Sequence, residues 1–305
     1  MSARNWAADH IAALARGETV VSPLTIEDIY LGALGPAALV LGFGVAYVVL
    51  VAYFRPERCP PSPAVRAHPP SLGSLIFRLF VPLGLIVALL GAIITGMMYT
   101  VEAAASGAIG ATVYALARRQ LTLRRLAETV QSVMKLTGMV FMLLIGATTF
   151  SLVFRGLSGD VYVTHLLSSL PGGTIGPVAA VMAVCFGLGF FLDALEIIFL
   201  VVPIAMPPLL FLGVDPVWLA VLTAINLQTS FLHPPFGFAL FFMRSVAPKS
   251  ISTGDIYWGA VPFIVVQLIV LALVWVQPVI VTAIPAAWNV AASATPGPQA
   301  APGGR

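Results

Sequence analysis

The chain has 305 residues, of which 59% are hydrophobic and only 9% charged, and its mean hydropathy is +1.01. Soluble domains carry about 25% charged residues, so this composition excludes a soluble globular enzyme and points to an integral membrane protein. The net charge of +3 carries no nucleic-acid signal, because the basic residues lie in loops between apolar stretches, where a topology signal is expected.

Residues 1–30 form a polar N-terminal segment containing Arg4, Asp9, Arg16, Glu18, Glu27 and Asp28, and no cleavable signal peptide is expected. Apolar stretches long enough to cross about 30 Å of hydrocarbon as helix then follow. Spans are predicted at 31–54, 74–98, 99–117 and 133–154. Ala103, Ala104, Ser106, Gly107 and Gly110 make the third a tightly packed, internal helix, since small residues let helices approach closely. Residues 177–192 and 194–212 read as two shorter arms meeting near Asp193, with Pro203, Pro207 and Pro208 in the second arm unable to donate to a helix ladder. A broken span follows at 216–242, its break at 233–237, and a last span at 256–284. The fold class is therefore all-α: a polytopic membrane protein of seven or eight segments, with a membrane domain over 31–288. The Ala-, Pro- and Gly-rich residues at 289–305 are expected to be a disordered tail.

Eleven of the fifteen Lys and Arg residues cluster in loops that share one side if 177–212 enters and leaves on the same face. Arg4, Arg16, Arg155 and Arg305 fall on the other. The positive-inside rule then places the Arg-rich loops in the cytoplasm and both termini outside. Of two cysteines, Cys59 lies in a Pro-rich loop and Cys185 in an apolar stretch, so no disulfide framework or Cys/His metal cluster is expected.

The chemistry-bearing residues sit at the two interruptions. Phe190–Glu196 brings Asp193 and Glu196 into an apolar stretch, and an intramembrane acid marks a functional site. Asp193 binds a cation, orients a hairpin tip that does, or caps the helix starting at Ala194; Glu196 lies at the tip or in water above it. The second interruption holds Asn226, Gln228, Thr229, Ser230, His233, Pro234, Pro235 and Gly237. Its side-chain oxygens coordinate a cation, contact a polar solute, or hydrogen-bond between helices. The break itself is expected to leave backbone groups free. His233 either titrates or fixes the loop. Carbonyls, helix ends and a carboxylate together suit a small hard cation such as sodium. Glu102 reads as a helix N-terminal carboxylate. An aspartyl protease needs two carboxylates sharing a proton. Gly187-Leu188-Gly189 is not adjacent to Asp193 and no second intramembrane Asp exists, so the chain is not expected to be an enzyme.

Several motifs in order carry a resemblance. They are Gly189-Phe190-Phe191-Leu192-Asp193, Pro203 with Pro207-Pro208, Leu212-Gly213-Val214-Asp215-Pro216-Val217-Trp218, Asn226-Leu227-Gln228-Thr229-Ser230-Phe231-Leu232 and Pro234-Pro235-Phe236-Gly237. Together they resemble the large permease subunit of tripartite ATP-independent periplasmic (TRAP) transporters, in its mannitol or chloroaromatic branch. Leu170-Pro171-Gly172-Gly173 and Thr253-Gly254-Asp255-Ile256-Tyr257-Trp258-Gly259 fit the same branch, and the match runs from about Ile26 to Trp288.

The resemblance implies an elevator-type secondary transporter of the bacterial inner membrane. Sodium would drive uptake of a small organic acid or related solute delivered by a periplasmic binding protein, with a small membrane subunit completing the complex. It implies that 177–212 is a re-entrant hairpin and 216–242 a broken helix of one inverted repeat, with Asp193 and Asn226–Gly237 at half of a sodium site. Three departures stand out: His233 replaces a usual Thr before the Pro-Pro, Tyr99-Thr100-Val101-Glu102-Ala103 stands where the family often reads Thr-Pro-Thr-Glu-Ala, and the first repeat has no counterpart in 1–30. The chain thus reads as the C-terminal half of a permease, with the N-terminal half separately encoded. The rival is a non-transporting remnant or assembly subunit. The solute is not legible.

Overall fold

The computed structural model describes residues 26–58, 71–119, 121–234, 237–248 and 251–294. Among them there are twelve α-helices, one 3-10 turn at Pro56–Arg58 and no strand. Three helices are long and apolar enough to cross a membrane: α1 (Ile26–Phe54), α4 (Leu123–Gly156) and α11 (Thr253–Val276). The pair α7 (Ala194–Leu200) and α8 (Val202–Phe211) passes the same test when taken together, although it bends by 55° at its junction. This is a multi-pass membrane protein, because a backbone surrounded by lipid must satisfy its hydrogen bonds within helices.

The helices divide into two compact units, residues 43–144 and residues 1–42 with 145–305. In the first, α2 (Leu72–Ile94) packs on α3 (Thr100–Ala117). A Cβ at Gly107 would lie 3.0 Å from Leu89 Cδ1, and one at Gly110 would lie 2.9 Å from Leu85 Cδ1, so the small residues do allow close approach. Val101, Ile109, Val113 and Leu116 of α3 are exposed in the chain by itself. Glu102 accepts a hydrogen bond from the Tyr99 amide at 2.9 Å, the helix-start role its position suggests.

The second unit holds both interruptions. Its elements continue with α5 (Gly159–Ser168), α6 (Ile175–Leu188), α7, α8, α9 (Pro216–Ser230), α10 (Phe238–Val246), α11 and α12 (Val279–Ala294). An apolar core formed by α5 to α9, α11 and α12 includes Leu167, Cys185, Ile197, Leu209, Leu222, Val270 and Val281. A smaller cluster of Leu240, Ile256 and Ala260 joins α10 to α11. Between α8 and α9 the chain turns sharply: Gly213 adopts φ 82°, Asp215 Oδ1 accepts from the Trp218 amide at 2.8 Å, and Pro216 opens the helix. Each residue suits its place, with a left-handed glycine after one helix and an acid cap and proline before the next.

The predicted last span is in fact two helices. Pro278 has no amide hydrogen and disfavours helical backbone in the residue before it; Gln277 accordingly leaves the helix at φ −125°, ψ 75°. Helix α5 lies in a segment where no element is expected from the sequence.

Candidate functional site

The first interruption is a short turn between α6 and α7. Helix α6 ends at Leu188, residues 189–193 turn, and α7 begins at Ala194. Asp193 is the N-cap of α7: its Oδ1 accepts from the Ala194 amide at 2.7 Å, while Glu196 Oε2 accepts from the Asp193 amide at 3.3 Å. The pair forms a reciprocal capping box. The amides of Phe191 and Leu192 donate to the Leu188 carbonyl, each at 2.8 Å. The amides of Phe191 to Ala194 are thus satisfied by the turn and by the two acids.

The second interruption runs from Phe231 to Gly237, and its described amides are bonded as well. Leu232 donates to Thr229 O at 2.9 Å, His233 to Ser230 O at 3.3 Å, and Gly237 to His233 O at 2.8 Å. A Cβ at Gly237 would lie 2.6 Å from the Phe231 carbonyl oxygen, so the chain closes tightly across the break. Pro234 is half-buried, and Pro235 lies outside the described residues.

What stays unpaired is side-chain chemistry. Asn226, Ser230 and His233 follow at i, i+4 and i+7, so they share one face of the α9 spiral. Asn226 Nδ2 donates to the Met182 carbonyl of α6 at 2.8 Å, leaving Oδ1 without a partner. The Ser230 hydroxyl is unpaired too. His233 is 1% exposed, stacked on Phe190 at 4.2 Å and edge-on to Phe186 at 4.7 Å. Neither ring nitrogen has a hydrogen-bond partner among the described residues. Thr229 donates to the Asn226 carbonyl at 2.6 Å. Beside Asn226, a groove of about 470 Å³ opens between α6 and α11, lined by Met182, Phe186, Leu271 and Trp275.

The structure thus gathers Asn226, Thr229, Ser230 and His233 against the end of α6. Gln228 points elsewhere: it is exposed, in a separate cavity with Pro36, Ala37 and Val40 of α1. No hydrogen bond joins Asp193 to the buried cluster among the described residues. Two buried polar residues escaped the sequence reading: Thr223, whose hydroxyl donates to the Leu219 carbonyl of its own helix at 2.7 Å, and Gln267. Gln267 of α11 is 5% exposed and its Oε1 has no partner.

A family model described as "Tripartite ATP-independent periplasmic transporter, DctM component" matches residues 11–280. The chain belongs to this family. Among similar TRAP proteins, the sialic acid TRAP transporter permease protein of Haemophilus influenzae is 28% identical over 65% of this chain and 32% of its own length. The ectoine/5-hydroxyectoine TRAP large permease protein of Ruegeria pomeroyi is 25% identical over 82% of this chain and 57% of its own. The C4-dicarboxylate TRAP large permease protein of Pseudomonas aeruginosa is 26% identical over 88% and 60%. The chain thus spans between about a third and three-fifths of these curated relatives. It is a large-permease-type TRAP protein of the bacterial inner membrane, and such relatives are permeases rather than enzymes. Part of the motif set that carries the TRAP resemblance is architectural here: Gly213, Asp215 and Pro216 make the turn that aims α9 at the end of α6.

Proposed function

We propose that the chain is the membrane component of a sodium-coupled TRAP-type secondary transporter. It would import a small organic acid or related solute delivered by a periplasmic binding protein, with a small TRAP membrane subunit as partner. The observation that carries the reading is the buried cluster at the broken helix, where the Asn226 and Ser230 oxygens lack partners inside an apolar membrane domain. Burying such groups unpaired is costly, so a ligand that meets them is favoured. The hairpin tip with Asp193 and the segment Asn226–Gly237 are the proposed ion and solute elements.

Transporters of this kind bind their cargo where two repeats converge. The chain is proposed to act with a polypeptide that supplies the remaining length of its relatives. The test is uptake into proteoliposomes. The chain would be reconstituted alone, then with such a polypeptide, the small subunit and a binding protein, under an inward sodium gradient. Saturable uptake that needs both sodium and the added polypeptide is expected. Sodium-dependent uptake by the chain alone would remove the requirement for that polypeptide. Absence of uptake by the complete mixture would favour a non-transporting assembly subunit and end this reading.

A further inference from the structure

We infer that Gln267 completes the ion site from α11, forming with Asn226 and Ser230 a neutral oxygen set for a monovalent cation; the inference rests on the reading that the broken-helix segment binds an ion. Among the described residues, every buried side-chain polar atom without a partner belongs to Asn226, Ser230, His233 or Gln267. The first three lie on α9 and its break, and the fourth lies on a helix packed against α9.

Helix register brings Asn226 and Gln267 to one level, with Ser230 one turn further along α9. Trp218 Nε1 donates to the Val274 carbonyl at 3.0 Å, tying the start of α9 to the end of α11. Eight residues along α9 from Trp218 is Asn226; seven residues back along α11 from Val274 is Gln267. At about 1.5 Å per residue these are descents of roughly 12 and 10 Å along neighbouring helices that run in opposite directions. Gln267 also shares a buried stripe with Val270 and Val274 on one side and Ala260 on the other. Val270 and Val274 belong to the large apolar cluster and Ala260 to the small one. Gln267 therefore falls where the two clusters part, level with Asn226 of α9, and Ser230 follows about 6 Å further along α9.

The donor set decides the ligand's charge. Two amide oxygens and a hydroxyl carry no formal charge, and Asp193 is bonded at the cap of its own helix. A divalent ion held without a carboxylate would forfeit far more hydration than such a set returns, whereas a monovalent ion gives up much less. The imidazole of His233 is a poor ligand for a hard cation, so it lines the layer without serving as a ligand.

The test is thermal unfolding of the purified full chain in detergent, titrated with sodium chloride or potassium chloride against choline chloride at constant ionic strength. A ligand that binds only the folded state raises the midpoint saturably. Wild type should respond to sodium or potassium and not specifically to calcium. Gln267→Leu should shift the half-saturating concentration upward at least tenfold, and so should Asn226→Leu. Gln267→Glu keeps the side-chain shape and adds a charge, so it should introduce a saturable calcium response and serves if the leucine variant does not fold. A wild type indifferent to both monovalent ions overturns the inference. So does an unchanged half-saturation in Gln267→Leu, or the same calcium response in wild type and Gln267→Glu. Because the readout is binding, it can fail while uptake by the assembled transporter succeeds, and the two proposals stay separable.

Discussion

The side-chain amide of Asn226 donates to the main-chain carbonyl of Met182 at 2.8 Å, joining α9 to α6 across forty-four residues of sequence. Only the NH2 end of an asparagine can meet a carbonyl, so this bond also fixes where the oxygen faces. The bond that holds the two helices together thereby leaves an acceptor available in the buried layer.

Asn226→Leu should consequently loosen the α6–α9 contact as well as remove the acceptor. Losing the bond and forcing a branched side chain into a site that is 1% exposed should cost about 1–3 kcal/mol. Chemical unfolding in detergent, followed by helical circular dichroism, checks this. A variant as stable as wild type would mean that the bond contributes nothing net.

Close approach at the turn between α6 and α7 makes a second prediction. A Cβ at Gly189 would collide with the Ser230 hydroxyl and come within 3.2 Å of the Phe186 carbonyl oxygen, whereas one at Gly187 meets nothing within 4 Å. Gly189→Ala should destabilise by about 1–3 kcal/mol, as overpacking does. Gly187→Ala should be neutral or slightly stabilising, since alanine favours helix. Equal effects in the two variants would mean that the turn does not rest on α9.

The contrast between these glycines shows what the sequence could convey. The arms meeting near Asp193 and the break after Ser230 were legible, because charge and proline inside apolar runs have few structural meanings. The split at Pro278 was legible in principle, but an apolar run on both sides of it masked the missing amide. Helix α5 escaped because ten residues containing Asp160 and His165 show no spanning signal. Gln267 escaped for a different reason. A single glutamine in an apolar helix is common glue between helices, and only the register set by Trp218 and Val274 puts it level with Asn226. Similarly, Asn226 and Gln228 are two apart in sequence, and only the helical turn reveals that one is buried and the other exposed.

Orientation is testable by labelling. The basic residues Arg118, Arg119, Arg124 and Arg125 should face the cytoplasm. A cysteine at the exposed Leu123, in a Cys59→Ser background with Cys185 buried, should react with a membrane-impermeant maleimide only after the membrane is opened. Labelling in intact spheroplasts would invert the proposed topology.

The last prediction separates two roles of Asp193. As an N-cap it accepts from the Ala194 amide at 2.7 Å and pairs with Glu196 in a capping box. Asparagine caps nearly as well as aspartate, whereas alanine does not, and replacing a cap by alanine costs about 0.5–2 kcal/mol. Asp193→Ala should therefore lower stability by that amount, and Asp193→Asn should leave it nearly unchanged. The asparagine variant still removes the negative charge. If the carboxylate supports ion coupling at this turn, Asp193→Asn should weaken the sodium dependence of uptake by the assembled transporter while unfolding like wild type. Uptake with an unaltered sodium dependence would leave Asp193 a helix cap alone, and coupling would then have to reside in the buried layer of α9 and α11.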